Sequence, residues 1–374
     1  KTENEFDLAI LCSKVPCAVA GMFTANQIKS APVILSQRLL AKRQAQTIVV
    51  NSGCANACLG EQGLADASEM TRLTAVKLGI PRENVLVAST GVIGIPLPMD
   101  CVRAGIKEIE LSPEGGHNFA RAIMTTDTRP KEVAVQLNMA GVKLTIAGVA
   151  KGAGMIHPNL ATMLCFIATD ALVNGDFLPS ALQKAVDISF NMISVDGDTS
   201  PSDSVFLLAN GLAGNEPIGL DNGEPFQEAL TKVCLYLAKS IVQDGEGATK
   251  FIEATVEGAK EQAEARQSAR TIASSASVKT AIHGSDPNWG RIIAALGRSG
   301  VELMEEKIDL YLNDVCVLRG GSPLPFDREM LRMALSNNDN VLIRICLNLG
   351  DGKATAWGCD LSEEYVRINS EYTT

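Results

Sequence analysis

Aromatic residues are scarce in this chain, at 4% of 374 positions, and positive charge is short as well, with 33 Lys and Arg against 43 Asp and Glu. The first shortage argues against a protein that stacks nucleobases on aromatic rings. The second leaves a formal net charge of -10, a field that repels a phosphate backbone. Lys42-Arg43 and the pair Arg129 and Lys131 are too sparse to offset it, so no nucleic-acid partner is expected. No apolar run approaches the roughly 20 residues of a membrane-spanning helix, so no membrane association is expected either.

Other absences remove whole reaction classes. There is no G-x-S-x-G elbow, no H-E-x-x-H and no Walker P-loop. The stretch Gly245-Glu246-Gly247-Ala248-Thr249-Lys250 resembles a phosphate loop only faintly, and Asp244 and Glu246 would repel phosphate. The three histidines, His117, His157 and His283, read as surface or structural residues, with His117 at a loop tip. The ten cysteines are scattered through apolar runs and read as buried thiols in a reducing compartment. Cys54 and Cys58 lack the second pair a zinc site needs. Asp196-x-Asp198 opens like a calcium loop but lacks the Gly and Glu that should follow, so it reads as a structural turn. Lys1-Thr2-Glu3-Asn4 is not a signal peptide. A cytoplasmic location is expected; an organellar one would require a targeting segment upstream of Lys1.

What remains is rich in small aliphatic residues. Hydrophobic residues make up 46% of the chain, enough for a large core. Apolar runs and helical patterns alternate without a strict βαβ repeat, which predicts a layered α/β or α+β fold whose strands are covered on both faces. Strands are expected at 7–19, at 47–50 ending in the turn Asn51-Ser52-Gly53, and at 84–88 before the loop Ser89-Thr90-Gly91. A hairpin is expected around Met139-Ala140-Gly141, with further strands at 163–168, 205–209, 251–256, 309–318, 341–347 and 354–359. Helices are expected at 64–78, 98–111, 178–191, 226–242, 259–275, 288–298 and 328–335, with a hinge at 284–290.

The segment Lys151-Gly152-Ala153-Gly154-Met155-Ile156-His157-Pro158-Asn159-Leu160-Ala161-Thr162-Met163-Leu164 concentrates chemistry. Its two glycines permit unusual backbone angles, and Pro158 makes a rigid corner. Thr162 then opens an apolar strand. Held in strain, that threonine could attack its own preceding carbonyl. Cleavage would free an α-amine, with an ordinary pKa of about 7.7–8.0, to serve as base for its own hydroxyl. Periodicity alone fits equally well a β-branched residue that merely starts a strand.

The same segment resembles the cleavage motif of the ornithine acetyltransferase family, K-G-[SA]-G-M-I-x-P-N-[ML]-A-T-M-L, and the likeness continues through Phe166 and Thr169-Asp170-Ala171. Further blocks resemble that family in order: Ala31-Pro32-Val33, Asn51 to Ala57, Ser89 to Gly94, Thr125 to Thr128, Asp196 to Ser200, Asp244 to Lys250, Asp286 to Arg291, and Trp357 to Thr374. Essentially the whole chain is covered. Three departures stand out. His157 takes the place of a common Ala, Pro201-Ser202 replaces a more usual Thr-Asn, and Lys1 opens the chain close to the first strand.

The resemblance implies an αββα-type sandwich, aminopeptidase/ornithine acetyltransferase-like, with a smaller α+β C-terminal domain. The expected division is 1–190, 191–283 and 284–374, with the tail returning to the active site. It implies autoproteolysis between Ala161 and Thr162, with Thr162 as nucleophile and Thr90 and Gly91 as the oxyanion hole. Thr125 (or, as the alternative, the adjacent Thr126), Lys151, Thr162, Glu246, Asn369 and Thr374 would bind substrate: Lys151 suits a carboxylate and Glu246 a side-chain ammonium. The implied reaction is ping-pong transfer of acetyl from N2-acetyl-L-ornithine to L-glutamate by an assembly of two α and two β chains. No metal or organic cofactor is expected, because Thr162 itself carries the acyl group; acetyl-CoA is a candidate second donor. The alternatives are a self-cleaving aminopeptidase or amidase, in which water takes the acyl group, and a non-catalytic binding protein that would stay uncut.

Overall fold

A computed structural model describes residues 6–157 and 163–371. Two seven-stranded mixed sheets carry the described part of the fold. The first is built from β1 (Leu8–Phe23), β2 (Gln44–Cys54), β3 (Val85–Val92), β4 (Lys131–Met139), β5 (Val142–Lys151), β6 (Leu164–Thr169) and β8 (Ser204–Ala209), in the order β3-β2-β1-β8-β6-β5-β4. The second contains β7 (Ile193–Ser194), β9 (Phe251–Ala259), β10 (Asp309–Leu312), β11 (Val315–Arg319), β12 (Ser322–Pro323), β13 (Asn340–Cys346) and β14 (Gly352–Cys359), in the order β12-β11-β10-β13-β9-β14-β7.

Alternation along the strands decides what covers each face. On one face of the first sheet, Ile10, Val49, Val85 and Val87 pack against Ala67, Met70, Val102 and Ile106 of the helices Gly60–Leu78 and Met99–Glu108. Leu144, Ile146, Cys165, Ile167, Val205 and Leu207 belong to the largest core cluster. That cluster continues through the helices Phe177–Asp187 and Glu224–Gln243 to Ile252, Ala254 and Val256 of the second sheet. These two helices therefore join the sheets with apolar side chains. A single fully buried Leu or Phe in that layer contributes roughly 1.5–3 kcal/mol. The layered α/β architecture is the one the alternating patterns imply.

Several local expectations are corrected. The turn expected at Asn51-Ser52-Gly53 is strand: β2 runs on to Cys54. The loop expected at Ser89-Thr90-Gly91 is strand as well, since β3 stays paired in parallel with β2 through Gly53↔Gly91 and Cys54↔Val92. Polar side chains hold this stretch in the sheet, with Ser89 Oγ on Asn51 Oδ1 and Ser52 Oγ donating to the Ala122 carbonyl at 2.6 Å. His117 lies in the helix Gly116–Ala122, where Phe119 packs edge-on against Phe166 at 5.1 Å. The helix expected from 259 begins at Gln262, and Ala259 ends β9. Residues 284–290, where the hinge is expected, stand outside these corrections: they form a turn between the helices Ala276–His283 and Trp289–Gly297, closed by the Asp286 N–H on the Ala281 carbonyl.

Candidate active site

Thr90 and Gly91 sit near the end of β3, where the parallel strand β2 approaches very closely. Gly91 has φ +125°, and a Cβ there would lie 2.2 Å from the Gly53 carbonyl carbon. Only glycine fits both the angle and the space. Thr90 beside it is buried, and its hydroxyl oxygen lies 3.4 Å from the Lys151 ammonium at the end of β5. Among the described residues this is the one hydrogen bond Lys151 donates, of the three an ammonium can make. Burial pushes Lys151 below the usual lysine range and Lys131 adds to the effect, while Asp127, Asp203 and Glu246 oppose it.

Glu246 approaches from the turn after the helix Glu224–Gln243. Its N–H donates to the Ala153 carbonyl at 2.9 Å, and its carboxylate fills the space a side chain at residue 154 would need. A Cβ on Gly154 would fall 2.4 Å from the Glu246 carboxyl, so the second glycine of the motif makes room for this acid. Asn369, on the C-terminal helix Glu363–Glu371, donates to Glu246 Oε2 at 2.8 Å. That helix docks through Ser362 Oγ on the Gly247 carbonyl and Tyr365 Oη on Asp196. Asp196 also accepts the N–H groups of Met155 and Ile156, which shapes the glycine-rich loop. Burial raises the Asp196 carboxyl above its ordinary range, against the bonds from Asp198, Met155 and Ile156.

Thr90, Gly91, Thr125, Lys151, Glu246 and Asn369 thus line one cleft of about 170 Å3. Ala161, Thr162 and Thr374 lie outside the described residues. The flanks of the former two are described. Lys151 pairs with Leu164 in the β5–β6 register, and the Met163 N–H donates to Asp203 Oδ1 at 2.9 Å. Asp203 is fully buried and its Oδ2 has no partner among the described residues. Burial holds its carboxyl well above the usual range, opposed by the Met163 N–H and by Lys151. A larger hollow of about 440 Å3, apolar and walled by Phe119 and Phe166, contains none of the expected site residues. Among the described residues, no group of three or more His, Cys, Asp or Glu could hold a metal ion.

Sequence reasoning missed Asp203, Tyr365 and the buried ions Asp127, Lys131 and Asp244. Asp127 and Asp244 stand in the motif blocks Thr125 to Thr128 and Asp244 to Lys250, but their pairing with Lys131 lies outside any helix, so no helical spacing signals it.

A sequence model of the ArgJ family matches residues 1–374. The "Arginine biosynthesis bifunctional protein ArgJ" of Dehalococcoides mccartyi is 55% identical over 377 residues, covering 100% of this chain and 93% of its own. The protein of the same name from Symbiobacterium thermophilum is 52% identical over 372 residues, covering 98% and 92%. The crystal structure of the Bacillus halodurans "Arginine biosynthesis bifunctional protein argJ" matches with a TM-score of 0.54 and 44% identity, over 55% of this chain and 98% of that one. Fold and cleft together are those of a layered α/β acyltransferase. The chain belongs to the ArgJ family, the ornithine acetyltransferases its motifs resemble.

Proposed function

We propose that this chain transfers acetyl from N2-acetyl-L-ornithine to L-glutamate in arginine biosynthesis, through an acetyl ester on Thr162. The observation that carries the reading is charge placement: a buried ammonium, Lys151, which among the described residues donates one hydrogen bond, and a buried carboxylate, Glu246, line the same cleft as Thr90 and Gly91. An N-acetylated diamino acid offers the complement of each: a carboxylate for Lys151 and a side-chain ammonium for Glu246.

In this reading Thr162 Oγ first attacks the Ala161 carbonyl, and water hydrolyses the resulting ester. Two polypeptides result, one ending at Ala161 and the other beginning at Thr162, assembled as two copies of each. The new Thr162 amine takes the hydroxyl proton as Oγ attacks the acetyl carbonyl, then returns it to the departing ornithine amine. The glutamate amine attacks the ester and restores the hydroxyl. The Thr90 hydroxyl and Gly91 N–H face the oxyanion at each stage, each contributing about 3–4 kcal/mol when preorganised. No metal or organic cofactor takes part. Acetyl-CoA is proposed as a second acetyl donor to the same Thr162 hydroxyl.

The test is ornithine release from N-acetylornithine with and without glutamate. Sustained release that depends on glutamate, with N-acetylglutamate formed in equal amount, is the expected result. Release at the same rate without glutamate would make the protein a hydrolase.

A further inference from the structure

Beneath the cleft lies a cluster of buried ions, none of which lines it. Lys131, the first residue of β4, has a side chain with 0% exposure. Its ammonium donates to Asp127 Oδ1 at 2.6 Å and to Asp244 Oδ2. Asp127 also accepts the Gly152 N–H at 2.7 Å and the Thr125 N–H at 3.0 Å. Asp244 also accepts both the N–H and the hydroxyl of Thr128. One ammonium therefore ties together three segments distant in sequence: 125–128, 151–152 and 244–246.

Those segments carry Thr125, Lys151 and Glu246. Buried ion clusters are poor sources of net stability, since apolar replacements of equal volume often do as well or better. What such a cluster provides is one definite geometry. Burial pushes the Asp127 carboxyl up, but Lys151, Lys131 and the Gly152 N–H outweigh it and hold the group at about 2, so Asp127 stays ionised throughout the working range.

We propose that Asp127, Lys131 and Asp244 are positioning residues that set the distance between Lys151 and Glu246, and so select the side-chain length of the diamino-acid donor. The inference rests on the reading that these two residues hold the two charged ends of that donor. One methylene of mismatch in a fitted site is worth about 10–200-fold in kcat/KM. The protein should therefore favour N2-acetylornithine over N2-acetyllysine by a factor in that range.

The experiment measures that ratio of kcat/KM in Asp244→Asn, which keeps shape and the Thr128 contacts but weakens the hold on Lys131. The ratio should fall by about tenfold, whereas mere loss of folded protein lowers both substrates alike and leaves it unchanged. Thr128→Val, at an exposed position, removes one bond to Asp244 and should move the ratio the same way by a smaller factor. This milder variant decides the question should the first fail to fold. An unaltered ratio in a folded variant overturns the brace. Glu246→Gln separates the brace from the donor reading beneath it. If it leaves the ratio intact, the assignment of Glu246 to the donor ammonium fails and the brace fails with it; if it collapses the ratio while Asp244→Asn does not, only the brace fails.

Discussion

The two ends of the cleft are built in opposite ways. The Lys151 end is mounted on paired strands, and its charged groups are buried under hydrogen-bonded backbone. The Asn369 end is carried by a helix with no buried residue, held to the body through Gly247, Asp196, Glu246 and His283. The contrast divides the labour. A sheet fixes a charge to within a fraction of an ångström, while a helix that buries no residue sits at the low end of local stability and opens first. The strand end should govern whether the reaction occurs at all, and the helix end how well the substrate is held.

Lys151→Met strikes the rigid end and should show the largest effect. Removing a buried ammonium from among Asp127, Asp203 and Glu246 should cost about 2–5 kcal/mol of transition-state binding. Steady-state kinetics should then show kcat/KM lower by at least about thirtyfold. Asn369→Ala strikes the other end. It removes one charge-assisted bond, worth about 1.5–3 kcal/mol at most and less where exposed. A several-fold rise in KM with unchanged kcat is expected, and a kcat/KM that falls as far as in Lys151→Met would erase the distinction between the ends.

The smallest effect is a pH dependence of the tail. His283 donates to Asp360 and pairs with Glu363 on the C-terminal helix, and the Asp360 bond foremost raises the imidazole above its ordinary value. A raised folded value means that the tether is complete below the unfolded pKa of about 6.5 and is lost as pH rises through the folded one. Hydrogen exchange of residues 363–371, corrected for intrinsic rates, should therefore accelerate with rising pH across that window. His283→Gln should flatten the response.

Much of this contrast is legible in the sequence. Long apolar runs and 3.6-residue patterns mark β5, β6, β9 and the helix Glu224–Gln243, because burial there leaves a periodic trace. The helix Glu363–Glu371 leaves only a short one: it buries no residue, and Tyr365 and Ile368, three positions apart, are half-buried. The short helix Ala31–Leu39 escapes notice for want of length. Thr90 and Gly91 read as loop because Ser, Thr and Gly are turn residues, yet main-chain pairing to β2 keeps them in strand. The Lys131–Asp244 contact spans 113 positions, and no local pattern could reveal it.

The proposed chemistry turns on Thr162, and intact-mass spectrometry after brief exposure to N2-acetylornithine without glutamate tests it most directly. Two polypeptides are expected, the second beginning at Thr162 and gaining the mass of one acetyl group on that residue, while Thr162→Ala stays a single unlabelled chain. An uncut wild-type chain, or an acetyl group trapped on any other residue, would contradict it.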